Sequence, residues 1–149
     1  MKKLIVYFFS IIFFSSCEND EFIPREINLE IIGSGNLYGD GFEDILPGNY
    51  VITNESTWNI LLNKIDINPN TTDSFTTTNI DFNNYQIIAV FDEIRPNPGR
   101  TIGIQEIIEN QNSIHITVLS LGPGGALNVI TQPFQIVKIP LSSKPIFFQ

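Results

Sequence analysis

Apolar residues recur at helical spacing in one stretch of this chain, and this limits the fold more than any other feature. Four of them lie at positions i, i+3, i+4 and i+7, and they are Trp58, Leu61, Leu62 and Ile65. This spacing places them on one face of a helix, and the polar Thr53 or Asn54 can cap its first turn. We therefore predict an amphipathic helix over about residues 55–65.

The rest of the chain has the pattern of a β-protein. Short segments that alternate apolar and polar residues, or that are apolar throughout, predict five to seven strands. These segments are residues 27–31, 50–52, 87–91, 102–108, 114–118, 129–130 and 134–139. Residues 87–91 are apolar at every position, which indicates a central strand covered on both faces. The strands at 102–108 and 114–118 are separated by a polar turn, and we expect them to form a hairpin.

Glycine and proline mark the expected ends of strands. The segment Gly33–Gly35 is expected to end the first strand, and residues 36–48 are expected to form a loop. Pro133 indicates an edge, a bend or a bulge, and residues 146–148 are expected to dock against the core. Strands do not alternate regularly with helices as in a doubly wound sheet. We predict an α+β fold in which a mainly antiparallel, curved β-sheet carries the helix at 55–65 on one face.

The N-terminal segment has the three-part organisation of an export signal. Lys2 and Lys3 are followed by the almost wholly apolar residues 4–14 and then by small residues before Cys17. This order is typical of a secretory signal, and the apolar run is too short for a comfortable membrane span. The segment resembles a bacterial lipoprotein signal, in which the cysteine becomes the lipidated first residue of the mature chain. An ordinary signal peptide or a short anchor is the alternative.

This interpretation divides the chain into a signal peptide at 1–16, an acidic tether at 17–26 and a single β-rich domain at 27–149. The acidic residues that follow Cys17 resemble the surface-export signal of some Bacteroidetes lipoproteins, and they are Glu18, Asp20 and Glu21. We expect an outer-membrane lipoprotein of the cell envelope, exposed at the cell surface if that signal operates. No second apolar stretch approaches the length of a membrane span, so membrane attachment is expected through the N-terminal lipid alone.

The charge of the chain limits the partners that it can bind. Sixteen Asp and Glu residues stand against eight Lys and Arg residues, which gives a net charge of −8. Lys2 and Lys3 belong to the signal, so the mature chain is more acidic still. Phosphate backbones repel such a chain, which argues against nucleic-acid binding, and it has no polybasic patch for anionic lipids. A partner with a cationic surface is compatible with this charge.

The residue types that common catalytic and metal sites need are scarce. His115 and Cys17 are the sole histidine and cysteine, and strand alternation places His115 on a polar face. No serine stands in a Gly-x-Ser-x-Gly turn, and zinc would draw on His and Cys clusters. We therefore expect no enzyme activity, no metal and no cofactor. A weak calcium site formed by Asp40, Glu43 and Asp44 is left open, with a role in turn formation as the alternative.

One loop concentrates positive charge on a stiff backbone. Residues 95–100 contain two arginines and two prolines, and limited loop flexibility favours a preformed contact surface. The glycine-rich segment 122–125 also follows a strand and could share the same end of the sheet. We predict a partner-binding rim that consists of Arg95, Asn97, Arg100, Gly124 and Gly125, with two ordinary strand connections as the alternative. A further alternative is a small-ligand or glycan-binding lipoprotein that uses Tyr38 and Phe42 as stacking platforms.

Several features of residues 50–140 follow one another in a recognisable order. They are Trp58 in an early helix, Ile80-Asp81-Phe82 leading into Gln86–Phe91, a Pro-Gly turn into Thr101–Ile104, and the ending Thr131–Pro140. This order resembles the C-terminal domain of the protease-complex subunit PrcB family. Gly99-Arg100-Thr101 stands where that family commonly has a Gly-Gly-Tyr-like turn. The resemblance implies a non-enzymatic binding or assembly module with an envelope protein, such as a protease, as partner, and it carries over no catalytic residue.

Overall fold

The computed structural model describes residues 21–39, 41–67, 70–96, 99–122 and 129–149. Over these residues the chain forms one α-helix, one short 3-10 helix and eight β-strands. The elements are, in chain order, β1 (Arg25–Glu26), β2 (Glu30–Tyr38), β3 (Gly48–Ile52), α1 (Glu55–Ile65), the 3-10 helix (Thr72–Ser74), β4 (Tyr85–Phe91), β5 (Thr101–Glu109), β6 (Ile114–Leu121), β7 (Thr131–Pro140) and β8 (Ile146–Phe148). Several predicted features lie outside the described residues. They are the signal peptide at 1–16, the lipid site Cys17, the acidic residues Glu18 and Asp20, Asp40 of the suggested calcium site, and the rim residues Asn97, Gly124 and Gly125.

The strands form two four-stranded sheets. The first sheet has the order β1-β5-β6-β8, and the second sheet has the order β2-β7-β4-β3. All neighbouring strands are antiparallel except β6 and β8, which run parallel. The prediction of an α+β, mainly antiparallel fold is confirmed, but the described strands are divided between two sheets rather than joined in one. The curvature predicted for the sheet stays a prediction.

β4 lies between two hydrophobic cores. Ile87 and Ala89 belong to a cluster that includes residues of α1, whereas Ile88 and Val90 belong to a cluster that includes residues of β5 and β6. All four side chains are fully buried, so the prediction of a strand covered on both faces is confirmed. Burying a large aliphatic side chain contributes about 1.5–3 kcal/mol relative to leaving it exposed. This strand is therefore a main source of the stability of the domain.

α1 has the bounds that the sequence predicts, Glu55–Ile65. Asn54 is its N-cap, because the Oδ1 atom of Asn54 accepts a hydrogen bond from the backbone N–H of Thr57 at 2.9 Å. Such a cap satisfies one of the helix donors that lack an intrahelical partner. Lys64 in the last turn interacts favourably with the negative end of the helix dipole.

Trp58 connects α1 to a distant segment of the chain. Its side chain is 1% exposed and lies in the same cluster as residues of β4 and β7. The indole Nε1 donates a hydrogen bond to the backbone carbonyl of Thr78 at 2.8 Å. The polar end of this buried ring is therefore satisfied, and residues 76–78 are held beside the helix.

β2 continues through the glycines at which the sequence predicts its end. That prediction is wrong, because the strand runs from Glu30 to Tyr38 and its pairing with β7 contains one register shift, typical of a β-bulge. A β-carbon added at Gly33 would overlap the ring of Phe75. Glycine is therefore required here for close packing rather than for a turn, and the loop expected at 36–48 is shorter than predicted.

Pro133 lies in β7, an interior strand of the second sheet. The backbone N–H of Asp92 donates to the carbonyl of Pro133 at 2.9 Å, just beyond the end of β4. The N–H that proline lacks is replaced by the side chain of Gln132, whose Nε2 donates to the carbonyl of Asp92 at 3.2 Å and to that of Ile45 at 3.1 Å. The proline therefore leaves no unpaired carbonyl at Asp92.

The first sheet includes both ends of the described chain. Its β5–β6 hairpin is confirmed, and residues 146–148 form β8 beside β6, with Ile146 and Phe148 packed on the core as expected. Arg25 and Glu26, which the sequence assigns to the tether, form β1 and pair with β5. The folded part therefore begins before the predicted boundary at residue 27.

Among the described residues, no helix is long and apolar enough to cross a membrane.

Candidate functional site: a groove beside an open strand edge

The two segments of the predicted rim approach each other at one end of the sheets. A β-carbon added at Gly122 would lie 2.6 Å from the carbonyl oxygen of Gly99, so the two backbones are in contact. Arg95 and Thr131 exchange two backbone hydrogen bonds of 3.0 Å. The structure therefore brings together the described ends of the two segments, as the sequence suggests.

The positive charge of Arg95 is compensated within the chain. Its guanidinium lies 3.0 Å from a carboxylate oxygen of Glu93 and 3.8 Å from one of Asp92. Asp92 is itself buried and accepts a hydrogen bond from the Ser120 hydroxyl at 2.6 Å. Arg100 is half-buried before the start of β5. These contacts hold the end of the two sheets together, and the role of the two arginines in partner binding stays a prediction.

The loop that follows β2 exposes the aromatic residues named in the glycan-binding alternative. Tyr38 is 63% exposed and Phe42 is 71% exposed, so both lie at the surface. In the suggested calcium site, Glu43 is 2% exposed and accepts a hydrogen bond from the backbone N–H of Tyr38 at 3.2 Å, while Asp44 forms an ion pair with α1. Among the described residues no group of three or more His, Cys, Asp or Glu side chains could hold a metal ion.

His115 lies half-buried on β6. Its Nε2 atom is 3.2 Å from the hydroxyl of Ser113, and its ring packs against Phe147 with 5.5 Å between the ring centroids. A nucleophile and a base also need a group that orients the base. No carboxylate of the described part of the chain forms a hydrogen bond with this ring. We therefore assign no catalytic role to His115 and Ser113.

A groove that the sequence analysis did not find lies beside β3. Its volume is about 380 Å³, which falls within the range of ligand sites. It is lined by α1, by β3 and by the loop before β3, and the lining residues are Asp44, Ile45, Leu46, Tyr50, Val51, Ile52, Thr57, Ile60, Leu61 and Lys64. Most of these side chains are apolar. Leu46 is 71% exposed and Ile60 is 56% exposed, so the groove opens an apolar surface to solvent.

Polar contacts fix the walls of this groove. The Nζ atom of Lys64 donates to the carbonyl of Asp44 at 2.6 Å and to its carboxylate at 2.9 Å. The hydroxyl of Tyr50 donates to the carbonyl of Leu46 at 2.7 Å, and its ring packs edge-on against Phe91 with 5.8 Å between the centroids. The loop, the helix and the strand are therefore tied to one another, and a preformed groove binds with a lower entropy cost.

β3 forms one edge of the second sheet, and no described segment of the chain pairs with its outer side. It pairs with β4 on its inner side, and none of the described backbone hydrogen bonds outside the sheet ladder involves residues 48–52. The strand contains no charged residue and no proline. Charged side chains and prolines are common devices that protect an edge from pairing with another chain, and β3 has neither.

The pairing of the second sheet shows which groups of β3 point outward. The backbone N–H of Asp92, just beyond the end of β4, donates to Pro133 of β7. Along an antiparallel strand, residues alternate between bonding to one neighbour and bonding to the other. Ala89 is three residues before Asp92, so its N–H and C=O groups point to the other neighbour, β3, where its partner is Tyr50. The N–H and C=O groups of Asn49 and Val51 consequently point away from the sheet.

The opposite edge of the same sheet, β2, is covered at its start. The backbone N–H of Thr76 donates to the carbonyl of Ile32 at 2.9 Å, and the Thr76 hydroxyl donates to the carbonyl of Ile31 at 3.1 Å. The ring of Phe75 lies against Gly33. The edge of β2 is therefore covered at its start, whereas Ser34–Asn36 are exposed; along β3 no such cover is seen among the described residues, and the apolar groove lies beside this edge.

Comparison of the chain with protein-family models, with curated proteins and with solved structures finds no match. The resemblance to the PrcB family therefore stays a prediction from the sequence. The geometry of the groove and of the open edge is the basis for the functional argument.

The sequence does contain a weak signal for this groove. Ile60 lies outside the apolar stripe of the helix, and Leu46 is an apolar residue in a segment with the composition of a loop. The strand at 50–52 also contains no charged residue. Each feature is common by itself, and only the tertiary structure brings them together.

Proposed function

We propose that this chain is a non-enzymatic, lipid-anchored protein of the bacterial cell envelope that binds an extended segment of a partner protein along β3. In this proposal Cys17 carries the lipid and the domain is attached to the outer membrane, exposed at the cell surface. α1 packs on a curved second sheet and forms one wall of the groove. The partner is an envelope protein such as a protease. The observation that supports peptide binding is the unpaired edge of β3 beside an apolar groove.

An extended peptide would bind as an additional strand of the second sheet. The outward N–H and C=O groups of Asn49 and Val51 would exchange hydrogen bonds with the peptide backbone, as in other cases of strand addition. Each such bond contributes about 0.5–1.5 kcal/mol net. Alternate side chains of the peptide would point toward Leu46 and Ile60, so apolar residues at alternate positions are favoured.

Charge selects among the chains that could occupy this edge. The protein has a net charge of −8, and self-repulsion disfavours pairing of β3 with β3 of a second copy. A segment with Lys or Arg residues would instead be attracted to the domain. The occupant that we propose is therefore an extended, basic segment with apolar residues at alternate positions.

The test is a selection of peptides from a random ten-residue library on the purified domain, followed by calorimetric titration of the selected peptides. The variant Val51→Pro removes one outward N–H without removing a bond to β4, a position at which edge strands accept proline. Affinity is expected to fall about tenfold or more, which corresponds to about 1.4 kcal/mol or more. The control Val51→Thr keeps the N–H and the branched side chain, and its affinity should stay within about threefold.

Two results would contradict the proposal. Selected peptides could bind Val51→Pro as tightly as the unchanged domain, which would place their site elsewhere. Alternatively, the unchanged domain could form dimers that Val51→Pro abolishes, in which case a second copy is the occupant of the edge. The melting temperature of each variant shows whether the fold is retained.

Small-ligand or glycan binding is a second candidate function, and the exposure of Tyr38 and Phe42 favours it. Aromatic rings at the surface can stack on apolar faces of a ligand. On a glycan array, Tyr38→Ala should then reduce binding while Val51→Pro leaves it unchanged. If Val51→Pro reduces binding and Tyr38→Ala does not, the result supports the groove as the binding site.

A further inference from the structure

The segment near the start of the described chain pairs with the first sheet. Arg25 and Glu26 pair in register with Glu109 and Ile108 of β5. The Nε atom of Arg25 lies 2.6 Å from a carboxylate oxygen of Glu109. We call residues 22–26 the arm. The side chain of Glu109 is 13% exposed and that of Arg25 is 73% exposed, so the ion pair is shielded from water on the carboxylate side only, and its strength depends on a second cation, Lys144.

Lys144 holds the arm from the other side. Its Nζ atom lies 2.8 Å from the second carboxylate oxygen of Glu109 and donates to the carbonyl of Asn110 at 2.8 Å. The same ammonium group lies 4.6 Å from the centroid of the Phe22 ring, a cation–π contact. A hydrogen bond from Lys144 and a smaller effect of the hydrogen bond from Arg25 hold the pKa of Glu109 below its ordinary value. The carboxylate therefore stays charged and keeps both cations in place.

The two sheets have two distinct ends, and the arm lies at one of them. The arm end contains Glu109 and the turn Asn110–Ser113, next to Pro145, whose carbonyl accepts the N–H of Ile114 at 2.9 Å. The loop end contains the pair Thr101–Leu121. β5 has nine residues, so the eight steps between its ends put them about 26 Å apart.

The length of chain before the arm limits how the domain can lie at a membrane. Four residues lie between Cys17 and Phe22, and the five Cα–Cα steps that join them span at most about 18 Å even when the chain is fully extended. This distance is shorter than the separation between the two ends. A lipid on Cys17 therefore leaves the arm end within reach of the headgroups, whereas a free tether up to residue 26 would allow more orientations.

We infer that the arm turns the arm end of the domain toward the lipid surface and presents the loop end away from it. The turn Asn110–Ser113 and the side chain of Ile23, which is 81% exposed, then face the headgroups. Arg95 pairs with Thr131 at the loop end, and Ile45 beside Asp44 accepts a hydrogen bond from the neighbouring Gln132. Arg95 and the Asp44 end of the groove then face outward, where a partner can approach. This inference rests on the lipid anchor of the proposed function and is independent of peptide binding.

The test is paramagnetic broadening in nuclear magnetic resonance spectra. The chain from Cys17 onward contains every described residue, and Cys17 is its only cysteine. The ¹⁵N-labelled protein is coupled through Cys17 to a maleimide lipid in phosphatidylcholine nanodiscs that carry a gadolinium-chelating headgroup. Amide signals of residues 110–113 are expected to broaden about fivefold or more relative to residues 99–101, given the separation of the two ends.

The control experiments separate this orientation from other effects. Uncoupled protein with the same nanodiscs should show no broadening at either end. Glu109→Gln removes the charge that holds the arm and should reduce the difference between the two ends, whereas the exposed Glu106→Gln should preserve it. Equal broadening at both ends of the unchanged protein, or stronger broadening at residues 99–101, would overturn the inference.

The chemical coupling makes this result independent of whether cells attach a lipid. Lipidation is tested separately by comparing the membrane fractionation of the full chain with that of Cys17→Ser. Loss of the anchor in cells with a retained orientation in nanodiscs would contradict the proposed location but not the role of the arm.

Discussion

The two edge strands of the second sheet differ in how their backbone groups are satisfied. The start of β2 is covered, because Thr76 donates hydrogen bonds to the carbonyls of Ile31 and Ile32 and the ring of Phe75 lies against Gly33. β3 has no such cover, and it is bordered by an apolar groove between α1 and the preceding loop. An uncovered edge favours unwanted pairing. The contrast between the start of β2 and β3 supports our proposal that the edge of β3 serves binding.

The cover of β2 and the wall of the groove at β3 are physically linked. Trp58 of α1 donates a hydrogen bond to Thr78, two residues after the covering Thr76. The helix that forms the wall of the groove thus also contacts the segment that covers the start of β2. Mutations along this connection should affect the two edges to different extents.

The largest effect is expected for Trp58→Ala. Removing this buried ring leaves a cavity beneath α1, and the free energy of unfolding should fall by about 3–5 kcal/mol. Urea titration followed by circular dichroism measures the loss. Trp58→Phe keeps much of the packing and removes the hydrogen bond, so its loss should be smaller, about 1–2 kcal/mol. A loss below about 1 kcal/mol for Trp58→Ala would show that the ring is not a core anchor.

A smaller effect is expected for Gly33→Ala, which disturbs the packing of Phe75 at the covered start of β2. The added methyl group would overlap the ring of Phe75, and overpacking of this kind costs about 1–3 kcal/mol. Gly35→Ala is the matched control, because its β-carbon would lie 3.6 Å from the ring of Phe134, an ordinary contact. Its effect should stay below about 0.5 kcal/mol. Similar losses for both variants would contradict the account of the covered edge.

The smallest effect is expected for the protonation of Glu109, at the arm beside β5. Its pKa is lowered in the folded protein by hydrogen bonds from Lys144 and Arg25, relative to an ordinary value of 4.5. Its stabilising contribution is therefore present above pH 4.5 and is lost as the pH falls through the lower pKa of the folded state. Amide signals of Arg25 and Glu26 should shift over this range, and Glu109→Gln should abolish that transition while Glu106→Gln retains it.

The sequence predicted the parts of the fold that depend on local patterns. The stripe of Trp58 and Ile65 predicted the helix, and the apolar run at 87–91 predicted a strand covered on both faces. Both follow from the periodicity of neighbouring residues. The end of β2 was predicted wrongly at Gly33, because that glycine accommodates Phe75, a contact between residues far apart in the chain.

The candidate site was harder to predict for the same reason. The charge of Arg95 suggested a binding rim, but Glu93 and Asp92 compensate it in the folded chain. The groove depends on the juxtaposition of Leu46 and Ile60, which no spacing in the sequence encodes. The open edge of β3 depends on which segments do not cover it, and that is a property of the whole fold.

The central claim is that β3 accepts an extended peptide, and amide hydrogen exchange tests it most directly. In the free domain, the outward N–H groups of Asn49 and Val51 should exchange rapidly, while that of Tyr50, which faces Ala89, should exchange slowly. A saturating selected peptide should slow the exchange of Asn49 and Val51 about tenfold or more, with a smaller change at Tyr50. Unchanged exchange at Asn49 and Val51 with the peptide bound would contradict the account.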